Sequence, residues 1–197
     1  MIIVPGLRLS KRAKLYRRTF LRLVGECVTR WAFTDRALFV LFQCAMNVDS
    51  KSAGVVYYRL NTISSKIALV NSVIRLVASP ENLKIWKEQK KLLDDDLIPV
   101  RNVIVHHPLL QETSSDEHQR MRYKFSIRVE PYEVEAGQRA PRSIDAKSLR
   151  EHGKQVDQVT HRLTSLIPKI AADAKGRAKH SLDEGSLKLN GVALEEI

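Results

Sequence analysis

The chain has 197 residues, 44% of them hydrophobic and 28% charged. That composition argues against a wholly disordered chain and supplies enough apolar surface for a core without disulfides or a structural metal. Its 33 Lys and Arg outnumber 22 Asp and Glu, for a net charge of +11. Residues 1–30 hold eight of the bases (Arg8, Lys11, Arg12, Lys14, Arg17, Arg18, Arg22 and Arg30) against the single acid Glu26, so most of the excess lies at the N-terminus of a nearly balanced body. Such a balance points to an anionic partner.

Several function classes drop out. The longest uncharged apolar run, Ala37 to Val48, is twelve residues, too short to span a bilayer. The basic N-terminus has no apolar stretch behind it of the kind that marks a secretion signal. Cys27 and Cys44 are the only cysteines; far apart on one helix they cannot meet, and they read as free thiols of a reducing compartment, the cytoplasm. No Gly-rich phosphate loop and no Cys/His cluster of zinc-binding spacing is present, so neither a cofactor nor a metal is expected.

Apolar spacing sets the layout in chain order. A first helix is predicted over about 19–47, with Phe20, Val24, Val28, Trp31, Leu38, Phe42 and Ala45 inward and Asp49-Ser50 ending it or capping the next. A second, about 52–78, carries the seam Val56, Leu60, Ile63, Ile67, Val70, Ile74 and Val77, alternating four and three apart. Ser79-Pro80 breaks it and starts a third helix, about 80–107, with Leu83, Trp86, Leu93, Leu97, Val100, Ile104 and His107 in register and Lys90 snorkelling. Pro99 inside this stretch predicts a kink or a fresh start.

His106-His107-Pro108 then terminates the helix, and residues 111–122 read as a polar loop. Tyr123, Phe125, Ile127 and Val129 alternate with polar neighbours as a short strand. Ser143 or Asp145 caps a last helix reaching about 167, with Leu149, Val156, Leu163 and Leu166 inward. The expected protein is all-α: a helical bundle with a small β excursion, about 111–135, between the third and fourth long helices. It divides into a basic N-terminal arm (1–18), a helical domain (19–167) and a polar tail (168–197).

One segment stands apart: Ile98-Pro99-Val100-Arg101-Asn102-Val103-Ile104-Val105-His106-His107-Pro108. Asn102 and His106, four apart, share a helix face, and Arg101 reaches the same edge with its long side chain. Arg offers a fixed fork of donors to a phosphate, His exchanges protons near neutral pH, and Asn can hold either in place. An RNA strand brings its own nucleophile, the 2′-hydroxyl, so these groups suffice for cleavage without a metal.

Arg101-Asn102 followed after three residues by His106, on the third helix of a bundle, resembles the HEPN (higher eukaryote and prokaryote nucleotide-binding) superfamily. The resemblance covers roughly residues 15–167. Trp31…Asp35…Leu38 on the first helix is similar to a Trp…acid…Leu pattern in some bacterial relatives, which usually have Glu where this chain has Asp35. The resemblance implies a four- to five-helix bundle and a homodimer whose third helices lie near the two-fold axis, so that two Arg/His motifs form one composite site. It implies a metal-independent endoribonuclease acting on RNA, often a toxin with an antitoxin-like protein partner or a phage-defence component. Other members lack activity. Arg101 would bind the scissile phosphate, His106 would act as acid/base, Asn102 would orient them, and His107 is a second candidate.

Each residue also has a plainer role. Arg101 suits a helix C-terminus, Asn102 can bond locally, and His107 falls on the core stripe as a packed or capping residue. Asp35 is either paired with an Arg or a supporting acid of the site. Asp94-Asp95-Asp96 point in three directions and suit a solvated or capping run better than a metal. Lys11, Arg12, Lys14, Arg18 and Arg22, with Tyr16 and Phe20 interleaved, can track a phosphate backbone or dock a partner. The alternative to the ribonuclease is therefore a non-enzymatic helical dimer that binds nucleic acid or a protein partner through this arm.

Overall fold

Helix α1 runs from Lys11 to Met46, so the basic residues expected on a separate arm form its first turns. The structure, a computed structural model, describes residues 10–107, 109–115, 121–128 and 143–189, with the backbone alone for 111–115, 121–123 and 180–189. The helix reaches back beyond residue 19 because Ala13 is buried and Ser10 accepts the Ala13 N–H at its side chain, giving this end both a packed face and a cap. Its inward stripe takes Phe20, Leu23, Cys27, Trp31 and Thr34; Val28, expected inward, is 50% exposed because Cys27 holds that place. At the far end Asn47 adopts φ 53°, its N–H bonding the Cys44 carbonyl while the Val48 N–H reaches the Gln43 carbonyl. Both orphaned carbonyls are thereby satisfied, and Asn tolerates the left-handed backbone this requires.

The predicted second helix is two: α2, Ser50–Tyr57, and α3, Ile63–Val77. Asp49 caps α2 by accepting from the Lys51 and Ser52 N–H groups, and Thr62 caps α3 by accepting from Ser65. A Thr that can serve as a cap competes with helix continuation, which is why the seam breaks around Leu60. Ile67, Val70 and Ile74 are buried as expected, whereas Val56 is 50% exposed.

The third stretch comprises α4, Pro80–Leu92, a π-helical turn, Leu93–Leu97, and α5, Ile98–His106. The Ile98 N–H bonds the Leu93 carbonyl, five residues back. Pro99 has no N–H for the carbonyl four residues before it and its ring crowds that carbonyl, so the widened turn ahead of it is the expected relief.

The β excursion is a three-stranded antiparallel sheet: β1 (Leu109–Ser115), β2 (Met121–Arg128) and β3 (Ser143–Ile144). Leu109 pairs with Ile127 and Ser115 with Met121, while Ile144 pairs with Ile127 on the other side. The loop expected over 111–122 is strand at 111–115 and 121–122, the residues of that stretch that are described. An edge strand gains its ladder from the backbone and needs no apolar alternation to do so. Phe125 and Ile127 are buried; Ser126, expected to face water, is buried too. Val129 and the rest of the excursion to residue 135 lie outside the described residues.

The last helix, α6, spans Ala146–Leu189 and continues through Pro168. The polar tail expected from 168 instead continues this helix to Leu189, with Ile170 and Ala174 buried. Asp173 accepts from the Ser79 N–H and the Asn82 amide at 2.8 Å each. A proline costs helix energy, but continued burial and these bonds offset it.

The expected single helical domain resolves into two compact units, one built from residues up to Thr34 with Lys91–Thr160, the other from Asp35–Lys90 with the chain from His161 onward. In the first, Phe20, Leu23 and Cys27 of α1, Val103 and Ile104 of α5, Phe125 and Ile127 of β2, Ile144 and Leu149 form one apolar core. In the second, Tyr57 meets Phe39 edge-on and Phe42 at a tilt, and the Trp86 indole N–H donates to Asn71 at 3.1 Å. No described helix is long and apolar enough to cross a membrane.

Candidate functional site

Burial of Val103 and Ile104 fixes which side of α5 meets the core. The opposite side carries Asn102, Val105 and His106, all exposed, with Arg101 partly exposed at its edge. The Arg101 guanidinium donates to the Asn102 side-chain oxygen at 3.0 Å, an exposed hydrogen bond between chain neighbours. His106 follows one turn after Asn102 on the same face and ends the helix. All three lie on the last turns of α5 with access to solvent.

His107 is set apart from them. Its backbone is extended (φ −106°, ψ 149°), its N–H returns to the Val103 carbonyl, and its side chain is half-buried. It caps the helix, as the plainer reading of it requires.

Asp35 belongs to the other unit and its partner is a lysine, where an arginine was expected. Lys66 Nζ lies 3.0 and 2.9 Å from the two carboxylate oxygens, and the Tyr57 hydroxyl donates at 2.9 Å. Lys66 also sits over the Tyr57 and Tyr58 rings, at 4.9 and 5.3 Å. Burial, with the neighbouring Asp35 charge, raises the Tyr57 hydroxyl pKa well above its ordinary range. The network ties α1, α2 and α3 together within that unit.

Lys11, Arg12, Lys14, Arg18 and Arg22 are all exposed on α1. Four of them, Lys11, Lys14, Arg18 and Arg22, recur every three or four residues on the side opposite buried Ala13, Phe20 and Leu23. Beside this stripe a cleft of about 490 Å³ is lined by Leu15, Tyr16, Thr19 and Phe20 of α1, Lys124 and Phe125 of β2, and Asp145, Ala146, Lys147 and Arg150 around the start of α6. The sequence reading missed Lys124, Lys147 and Arg150. The available signal was the placement of two cations just behind the Asp145 cap at the beginning of a helix, where the dipole disfavours them.

A buried pair lies elsewhere in the same unit. The Trp31 indole N–H donates to His152 Nε2 at 3.0 Å, and burial pushes the His152 pKa down to about 4. Among the described residues no group of three His, Cys, Asp or Glu is placed to hold a metal ion.

No protein-family model, curated protein or solved structure matches this chain.

Proposed function

We propose that this chain is a HEPN-like, metal-independent endoribonuclease that acts as a homodimer in the cytoplasm, as a bacterial toxin or phage-defence component. The observation that carries it is the exposed face of α5, where Arg101, held by Asn102, and His106 stand together at a helix end. Val105, 46% exposed between them, gives that face an apolar centre suited to a second copy, whose own Arg101 and His106 complete the site. Free Cys27 and Cys44 suit a reducing compartment.

In this reading one His106 accepts the 2′-hydroxyl proton as that oxygen bonds to phosphorus. The bond from phosphorus to the 5′-oxygen breaks, and the second copy's His106 protonates the leaving oxygen. Arg101 holds the non-bridging oxygens as charge grows on them. The products are a 2′,3′-cyclic phosphate and a 5′-hydroxyl. Purified protein should cut RNA in the presence of EDTA and leave those ends, and His106→Ala should slow cutting by a factor of about 10²–10⁴ while the dimer persists. Cutting that survives Arg101→Ala combined with His106→Ala removes this reading.

The exposed basic stripe of α1 favours a second reading, a non-enzymatic dimer that binds nucleic acid or an acidic antitoxin-like partner. It expects salt-sensitive binding, lost on neutralising Lys11, Arg12, Lys14 and Arg18, with no turnover.

A further inference from the structure

We propose that the cleft between the start of α1, β2 and the start of α6 is a site for single-stranded RNA, seating a nucleotide with its phosphate on Lys124, Lys147 and Arg150 and its base against Tyr16. The choice of RNA rests on the function proposed above; the cleft's own chemistry calls for an anion that carries a flat ring.

Charge placement is the first argument. α1 opens Lys11-Arg12-Ala13-Lys14 and α6 opens Ala146-Lys147-Ser148, with Arg150 next but one, and neither helix has an acid in its first turn. The N-terminal end of a helix is partially positive, so cations there work against the fold and acids would stabilise it. α1 breaks this rule outright and α6 adds two cations behind its single Asp145 cap; that residues of both starts line one cleft points to a bound anion as the compensating gain. Among the described residues neither Lys147 nor Arg150 has a carboxylate within ion-pair distance.

Among the described residues the one acid lining the cleft is already engaged. Asp145 accepts from the Ser148 N–H at 2.8 Å and the Ser148 hydroxyl at 2.9 Å, bonds that hold its carboxyl below the ordinary range with Lys124 nearby. It caps α6, so three cations face one occupied carboxylate.

The walls supply the rest. Phe20 and Phe125 are buried, while Tyr16 is 49% exposed with the Arg12 guanidinium 5.7 Å from its ring centre. A half-exposed aromatic flanked by cations stacks an unpaired base, which a duplex does not offer. The volume suits a small ligand rather than a double helix. Leu15 and Thr19 join the cleft to the Lys11–Arg22 stripe, along which the neighbouring phosphates of the strand would lie.

The test uses the full chain carrying His106→Ala, so that RNA stays intact, and a fluorescent oligouridylate of about ten nucleotides read by anisotropy. Lys147→Glu with Arg150→Glu should weaken binding about a hundredfold, and removing the two positive charges should flatten the salt dependence by a slope of at least about 1.4. Tyr16→Ala should weaken it about tenfold with the slope unchanged, the mark of lost stacking. All three positions are exposed, and circular dichroism checks that each variant stays folded. Unchanged affinity in the double variant overturns the site. So does equal competition by an acidic peptide with no effect of Tyr16→Ala, which would mean a general anion surface. A wild-type chain that binds through the cleft but cuts nothing removes the ribonuclease and leaves the site standing; one that cuts, with binding indifferent to the cleft variants, does the reverse.

Discussion

Trp31 and His152, 121 residues apart in the chain, meet through a buried hydrogen bond of 3.0 Å from the indole N–H to Nε2. Only a neutral imidazole can accept it, and burial keeps His152 neutral, with its pKa lowered to about 4. A folded-state pKa below the unfolded value of about 6.5 means that the unfolded chain binds the proton more readily. Stability is therefore full above pH 6.5 and is lost as the pH falls towards 4, by on the order of 3 kcal/mol for this group alone. Urea midpoints at pH 7.5 and 4.5 should differ accordingly, and His152→Phe should shrink the difference.

Trp31→Phe removes the donor and leaves His152 Nε2 buried without a partner. A loss of about 1–3 kcal/mol is expected. If the midpoint does not move, the bond is not one the fold depends on.

Asp35→Ala strips Lys66 of its carboxylate and leaves the Tyr57 hydroxyl with only the Asp35 carbonyl, at 3.2 Å. Both charges retain some solvent access, at 14% and 29% exposure, so the cost should be about 1–2 kcal/mol, below that of a fully buried pair. On the proposed ribonuclease reading, RNA cleavage per folded molecule should be unaffected. A selective loss of activity at unchanged stability would instead make Asp35 part of the site.

Cutting the chain after residue 167 removes buried Ile170 and Ala174 and the Asp173 bonds to Ser79 and Asn82. Thermal melting should show a loss of several kcal/mol, about 2–4 from Ile170 alone. Pro168→Ala should act in the opposite direction and stabilise by about 1–3 kcal/mol, as a helix-interior proline is replaced by the best helix former.

Asn102→Ala frees the Arg101 guanidinium from its neighbour. On the proposed ribonuclease reading, cleavage should fall about tenfold through lost orientation, while Asn102→Asp, which keeps an acceptor oxygen, should recover part of it. Single-turnover rates on a labelled RNA separate the two variants.

How far the sequence disclosed this molecule follows from which force set each feature. Periodic burial was legible, so Ile67, Val70 and Ile74 on α3, and Leu149, Val156, Leu163 and Leu166 on α6, all lie inside. The break at Pro99 was legible because the ring imposes it, although a π turn and a sharp kink leave the same trace in a sequence. The division between α2 and α3 was not: Thr62 reads equally well as a helix residue or as a cap, and only tertiary contacts decide. β1 escaped notice because its residues are polar and its stability comes from backbone pairing with β2. Arg101, Asn102 and His106 are candidates on local spacing, which a helix preserves, so their shared place on α5 was legible. The cleft draws on three distant segments, and no local pattern joins Tyr16 to Lys124 or Arg150.

The π turn at Leu93–Leu97 has a consequence for how α5 is aimed. A turn of this kind holds one residue more than an α-helical turn, so it acts as an insertion that rotates everything after it by about 100° about the helix axis. Deleting one residue from Asp94–Asp96 would restore continuous winding and carry Arg101, Asn102 and His106 a quarter-turn round, exchanging some of them with the side that holds Val103 and Ile104. The number of aspartates, and not only their charge, thus sets the direction in which the arginine and histidine point.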